Sequence, residues 1–143
     1  MSRKRQSNRP DRRILGANLL TSEELDRIRL VARYTGAPYH KLHPGDYGLS
    51  PPSDPRPSKS VCDDRRPLLK HEAESLLREG IRRGMISQPK PGQLPKYVWA
   101  VDDQKQVYEA KTDPLLGSAY HGYRLGDDEY QMRANVLSAW NKR

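Results

Sequence analysis

A proline-rich segment over residues 35–63 constrains the fold of this chain more than any other feature. Six prolines fall within it, at positions 38, 44, 51, 52, 55 and 57. Proline has no backbone N–H and disfavours a helical conformation in the residue before it. The segment is therefore predicted to be a long extended loop. Loops of this length inside compact domains are usually functional or disordered.

Helical patterns flank this loop. Thr21 followed by Glu24 has the form of a capping box, and apolar residues recur on one face up to Ala32, which predicts a helix over about 22–34 that stops before Gly36. A second helix is predicted within "DRRPLLKHEAESLLREGIRRG", with Asp64 as its cap, Pro67 in its first turn and Gly84 at its end. Its apolar stripe comprises Leu69, Ala73, Leu76, Leu77 and Ile81.

The C-terminal third contains three strand-like segments, and in the first of them Tyr97, Trp99 and Val101 alternate with Val98 and Ala100. "YVWAV" and "QVYEAK" are separated by the turn "DDQK", "AYHGYRL" is a shorter third strand, and "GDDEYQMRANVLSAW" predicts a helix capped by Asp127 or Asp128. The predicted fold over 21–143 is an α+β domain. It has two N-terminal helices joined by the long loop, a three-stranded antiparallel sheet and a C-terminal helix. We expect Trp99 to be buried between this sheet and the second helix.

Composition limits the class of protein. Only 34% of the 143 residues are hydrophobic and 31% are charged, so one domain with a small core is expected. No apolar run approaches the roughly 20 residues that a membrane-spanning helix needs, and no signal peptide is evident. A single cysteine agrees with a reducing compartment. These observations predict a soluble, cytoplasmic protein.

The net charge of +8 is concentrated at the N-terminus, in "MSRKRQSNRPDRR". Residues 1–20 are predicted to form a disordered basic arm that binds phosphate groups and releases counterions. A solubilising terminus without a specific ligand is the alternative. The arm residues predicted to bind nucleic acid are Arg3, Lys4, Arg5, Arg9, Arg12 and Arg13.

Several short segments carry a resemblance to a known family. They are "APYHKLHP", "VCDD", "PKYVWAVD", "VYEAK" and "YHGYRL". The chain resembles, over about residues 32–125, a family of small uncharacterised bacterial proteins with recurring Tyr-Val-Trp, Tyr-Glu-Ala and Tyr-x-Gly-Tyr-Pro segments. Arg124 departs from that pattern, since proline is expected there, and lysine is expected about as readily as histidine at position 121. The resemblance implies one folded unit and no particular reaction.

Two hypotheses concern the strand residues. In the first, the protein is a metal-independent ribonuclease in which Glu109 and His121 act as base and acid while Lys111 and Arg124 bind the phosphate. The order of elements is similar, at the level of fold only, to small ribonuclease toxins. The alternative for these four residues is a solvated, noncatalytic outer face of the sheet.

In the second hypothesis, the strand aromatics bind nucleic acid by stacking on bases, while Lys96, Lys111 and Arg124 bind its phosphates. The rings concerned are Tyr97, Trp99, Tyr108, Tyr120 and Tyr123. The chain has no phenylalanine, so some of these rings must also build the core. RNA is favoured over DNA as the ligand. A third possibility is a protein-binding or scaffolding module that uses the basic arm and the proline-rich loop.

Four residues have the chemistry of zinc ligands. They are His40, His43, Cys62 and His71. Their spacing is unusual and no Cys-x-x-Cys pair accompanies them, so the sequence favours ordinary loop histidines over a metal site. No cofactor is predicted, because Gly-rich phosphate loops and paired metal-binding carboxylates are also missing from the sequence. Nucleic acid, and not a membrane, is the predicted partner.

Overall fold

The computed structural model describes residues 11–35, 69–113 and 117–143. The architecture is α+β, as predicted. Its elements are α1 (Ser22–Val31), β1 (Arg33–Tyr34), α2 (Lys70–Arg82), β2 (Tyr97–Val101), β3 (Val107–Lys111), β4 (Ala119–Arg124), a 3₁₀ turn (Asp127–Glu129) and α3 (Tyr130–Asn141). The predicted loop at 35–63 lies outside the described residues except at its first position. None of the helices described has the length and apolar character needed to cross a bilayer.

The sheet has four strands in the order β1-β4-β3-β2 and is mixed, which corrects the prediction of three antiparallel strands. β2, β3 and β4 are antiparallel neighbours, whereas β1 runs parallel to β4.

The first helix ends at Val31 because the residues after it form β1, at the edge of the sheet beside β4. The backbone N–H groups of Arg33 and Thr35 donate to the carbonyls of Ser118 and Tyr120, each at 2.9 Å. Backbone pairing with a distant strand thus overrides helical periodicity over residues 32–34.

Local signals predict the start of α1 and the end of α2, but α2 begins at Lys70 after the N-cap Leu69, so the predicted start with Asp64 as cap and Pro67 in the first turn is wrong. The capping box of α1 is formed, since the Thr21 hydroxyl accepts from the Glu24 N–H and the Glu24 carboxylate accepts from the Thr21 N–H, both at 3.1 Å. The predicted stripe of α2 is buried at Ala73, Leu77 and Ile81. Gly84 ends this helix with a φ of +72°, a conformation that glycine adopts without strain.

Both faces of the sheet are covered. The α2 side buries Val98, Tyr108, Ala110 and Tyr120, and the α3 side buries Tyr97, Trp99, Val101, Val107, Tyr123, Met132, Val136 and Trp140. Trp99 is fully buried, as predicted, but its ring belongs to the core on the α3 side and not to that on the α2 side. The prediction of one solvated sheet face is therefore wrong around the centre of β2 and β3.

Helix α2 lies unusually close to β2 at one point. A Cβ added to Gly80 would be 2.4 Å from the Trp99 carbonyl oxygen, a distance at which one of the two backbones must move. Glycine inside a helix usually lowers its stability by up to about 1 kcal/mol relative to alanine. The contact explains why glycine occupies this position.

Helix α3 begins later than its acidic residues suggest. Asp127 and Asp128 lie in the 3₁₀ turn, and neither caps the helix with its side chain. The helix starts at Tyr130, directly after Glu129. The Glu129 carboxylate is bound instead to an arginine from the other end of the chain, as described below.

Candidate phosphate-binding site

Strand register brings three of the predicted site residues onto one sheet face. Glu109 is paired with Tyr123, and Lys111 is paired with His121 across β3 and β4. Side chains alternate along a strand, so Glu109, Lys111 and His121 all lie on the α3 side. Glu109 lies at the buried centre, whereas Lys111 and His121 lie at the half-buried end of the two strands.

Glu109 has no exposed surface, which corrects the prediction that it is solvated. One carboxylate oxygen accepts from Arg12 Nε at 2.6 Å and from Trp99 Nε1 at 2.9 Å. The other oxygen accepts from the Tyr123 hydroxyl. Three donors and complete burial leave this carboxylate without access to a substrate proton, so it is unsuited to act as a general base. Its described contacts are those of an internal counterion.

Arg12 is the partner that makes this burial stable. Its side chain is 1% exposed, and its Nη1 and Nη2 donate to the two carboxylate oxygens of Glu129 at 3.0 and 2.8 Å. Burial by itself lowers the pKa of Arg12, but the hydrogen bonds and charges of Glu129 and Glu109 outweigh that effect and raise it. Arg12 remains charged and its donors point inward. The prediction that Arg12 binds phosphate is corrected accordingly.

Residues 11–17 form a segment that we call the N-terminal strap. Besides Arg12, it is held by Leu15, whose N–H donates to the Ile86 carbonyl at 2.8 Å and whose carbonyl accepts from Arg143 Nη2 at 2.7 Å. Leu15 is buried in the α2-side core. The strap is therefore an integral part of the fold. Within the predicted arm of residues 1–20, the cations Arg3, Lys4, Arg5 and Arg9 lie outside the described residues.

A pocket of about 790 Å³ lies between the strap, the α2–β2 loop and the ends of β3 and β4; we call it the strap pocket. Its volume is within the range of sites that bind small molecules. Its charged and polar lining consists of Asp11, Arg13, Ser87, Gln88, Lys90, Gln93, Lys96, Lys111, Thr112, Asp113 and His121. Four cations thus face two carboxylates, with Lys96 Nζ bound to Asp11 at 2.9 Å. The excess of positive charge favours an anionic ligand.

The structure separates the residues that the sequence predicts as one site. Lys111, His121 and Arg13 meet in the strap pocket, but Arg124 lies on the opposite sheet face and donates to the Leu125 carbonyl at 3.3 Å. Lys96, which the stacking hypothesis assigns to phosphate binding, also lines the pocket, whereas Lys90 is a pocket residue that sequence reasoning missed. The signal for Lys90 is the short basic, proline-containing segment "PKPGQLPK", which brings both lysines to the pocket from the loop before β2.

The aromatic platform predicted for base stacking is not present. The five strand rings have exposed fractions between 0 and 6%, so their faces are used in packing. The metal prediction concerns mainly residues outside the described ranges, namely His40, His43 and Cys62. Within those ranges, which include His71 on α2, no group of three or more His, Cys, Asp or Glu side chains is arranged to hold a metal ion.

Comparisons with known proteins identify no relative of this chain. A scan against protein-family models finds no match, and neither does a search of curated proteins or of solved structures. The resemblance to small bacterial proteins stays a prediction, and function must be inferred from the strap pocket itself.

Proposed function

We propose that this protein binds nucleic acid through phosphate groups in the strap pocket, without cleaving it. The observation that carries the proposal is the convergence of Arg13, Lys90, Lys96 and Lys111 beside His121 in one pocket. Ammonium and guanidinium groups bind phosphate by charge-assisted hydrogen bonds. Two carboxylates in the same lining reduce this attraction without cancelling it. RNA is the first ligand to test, with DNA as the comparison.

The chemistry of the pocket supports recognition of the backbone and not of the bases. Phosphate contacts position a nucleic acid without carrying sequence information, whereas single-stranded bases are usually recognised by stacking on exposed rings. The strand rings that the sequence offers for stacking are buried. Binding that depends on salt and little on sequence is therefore expected.

The ribonuclease hypothesis assigns Glu109 as the base, but Glu109 is not accessible to a substrate. Glu109 is buried beneath Arg12, and Arg124 points away from the face that carries His121. We expect the purified protein to leave a mixed RNA pool intact over a broad pH range, with and without divalent metal. Cleavage that disappears in His121→Ala would contradict the noncatalytic part of the proposal.

Lys111→Ala tests the pocket directly. We expect a loss of RNA affinity of about tenfold, the effect of roughly 1.4 kcal/mol, because one phosphate contact disappears. The slope of log affinity against log salt should become shallower by about 0.7 for a single strand. Fluorescence anisotropy with labelled RNA at several salt concentrations measures both quantities.

Lys105→Gln is the matched control for Lys111→Ala. Lys105 is exposed in the turn between β2 and β3, at the opposite end of these strands from Lys111. Its replacement changes the net charge equally and should leave affinity within about twofold, since the charge is remote from the pocket. Equal losses for the two variants would show that RNA responds to total charge and not to this pocket.

Asp11→Asn should act in the opposite direction and raise RNA affinity by about two- to fivefold. The Asp11 carboxylate binds Lys96 at 2.9 Å and so competes with a phosphate for the same ammonium group. The free energy of unfolding should change by less than about 1 kcal/mol, because the pair is partly exposed. The control is Asp103→Asn in the exposed β2–β3 turn. An unchanged or lower affinity in Asp11→Asn would place the phosphate away from Lys96.

A further inference from the structure

A second basic depression lies on the other side of the N-terminal strap. This strap groove has a volume of about 600 Å³ and is bounded by the strap, by α3 along most of its length and by the two residues after α3. Its polar lining consists of Arg12, Arg13, Asn135, Ser138, Lys142 and Arg143. Arg13 and Ile14 line both the strap groove and the strap pocket, so the two depressions meet across the strap. No Asp or Glu side chain is among the described residues that line the groove.

The basic surface continues beyond the groove towards the end of α2. A smaller depression of about 260 Å³ shares Ala17, Lys142 and Arg143 with the strap groove and adds Arg82 and Arg83. Arg143 holds this region in place, since its Nη1 and Nη2 donate to the carbonyls of Gly84 and Leu15 at 2.8 and 2.7 Å. Arg82 and Arg83 both bind Glu79, which reduces their contribution to the positive potential. Lys142 is exposed and is the best placed cation of this second region.

We infer that the ligand is an extended nucleic acid strand that crosses the N-terminal strap from the strap pocket into the strap groove. This inference rests on the proposed function and specifies its ligand as a chain of regularly spaced phosphates, and not a mononucleotide. Residues 11–17 span at most about 25 Å when extended. A strand stacked as in a duplex advances about 3.4 Å per nucleotide, so about seven nucleotides equal this length and a longer strand exceeds it.

The charge distribution selects this ligand over a single phosphate. Arg13 lies on the ridge between the two depressions, where its exposed side chain can contact a phosphate on either side. A mononucleotide would occupy the strap pocket and leave Lys142 without a contact. A strand long enough to cross the ridge would bring both Lys111 and Lys142 to its phosphates.

The inference is tested by measuring affinity for single-stranded RNA of two lengths, about three and about twelve nucleotides. For wild-type protein we expect much tighter binding of the longer RNA. Lys142→Glu should weaken binding of the longer RNA about tenfold and leave the shorter RNA within twofold, whereas Lys111→Ala should weaken both. Lys105→Glu is the matched charge-reversal control, and thermal melting of each variant checks that the fold is kept.

The outcomes separate the inference from the proposed function. If both lengths bind in a Lys111-dependent manner but Lys142→Glu affects neither, the strand does not cross the strap, and the inference fails while the proposed function stands. If wild-type protein binds neither length, the proposed function fails as well. If polyglutamate of similar charge displaces the longer RNA as well as unlabelled RNA does, the surface recognises acidic peptide and the inference is overturned.

Discussion

Arg12→Ala is expected to lower the free energy of unfolding by about 3–5 kcal/mol, the usual effect of removing one partner from a buried ion pair. The variant leaves Glu109 fully buried without its cation, with Trp99 and Tyr123 as its remaining described donors. It also removes one attachment of the strap, because the two hydrogen bonds from Arg12 to Glu129 disappear while the contacts of Leu15 remain. Urea denaturation followed by circular dichroism measures the loss.

Two further variants separate charge from geometry. Arg12→Lys retains the charge but cannot bind Glu109 and Glu129 with the same planar set of donors, so a substantial part of the loss should remain. Arg12→Met combined with Glu109→Gln removes the uncompensated charge of Glu109 but not that of Glu129, so it should recover part of the stability lost in Arg12→Ala. A loss below about 1 kcal/mol in Arg12→Ala would mean that Glu109 is stabilised without the strap.

Arg12→Lys also tests whether the position of the strap affects RNA binding. Arg12 does not line the strap pocket, whereas its neighbours Asp11 and Arg13 do. If the strap forms a wall of that pocket, Arg12→Lys should weaken RNA binding under conditions where the domain is still folded. Unchanged affinity in a folded variant with a displaced strap would show that the α2–β2 loop and the strand ends suffice for binding.

Trp99→Ala is expected to lower the free energy of unfolding by about 3–5 kcal/mol, which would unfold much of the population of so small a domain. Trp99 is fully buried, its ring stacks on Tyr97 with centroids 5.8 Å apart, and its Nε1 donates to Glu109. The substitution therefore removes core packing and a donor to a buried charge together. The measurement is again urea denaturation.

Trp99→Phe distinguishes these two contributions. Phenylalanine keeps most of the buried ring but lacks the N–H, so the expected loss is about 1–3 kcal/mol. Tyr130→Ala serves as the control for removing an aromatic side chain, because Tyr130 is 74% exposed. Its effect should stay within about 0.5 kcal/mol. Similar losses in Trp99→Ala and Tyr130→Ala would contradict the packing described for β2.

The sequence predicts the elements that local chemistry determines. The strand around Trp99, the capping box at Thr21 and the glycine after α2 are each predicted from neighbouring residues alone, and the structure confirms all three. β1 was missed because a strand of two residues has no measurable period. Its pairing with β4 depends on residues more than 80 positions away in the sequence.

The candidate site depends on register, which a single sequence does not show. Pairing of Lys111 with His121 and of Glu109 with Tyr123 puts Arg124 on the other face, whatever its charge. The burial of Glu109 depends on Arg12, 97 positions away in the chain. A charged residue in a strand ordinarily predicts exposure, and only the location of its counterion changes that expectation.

The bonds of the strap also have a consequence for the order of folding. Arg12 is bound to Glu129 at a sequence separation of 117 residues, and Leu15 is bound to Arg143 at 128. Contacts between residues so far apart in the sequence close the largest loops in the domain. The entropy cost of closing these loops is compensated only after local structure has formed. During synthesis on the ribosome, α2 and the β2–β3 hairpin are available before residue 129 is made. We therefore expect strap docking to be the last folding step, and until it occurs Glu109 lacks the arginine that compensates its charge.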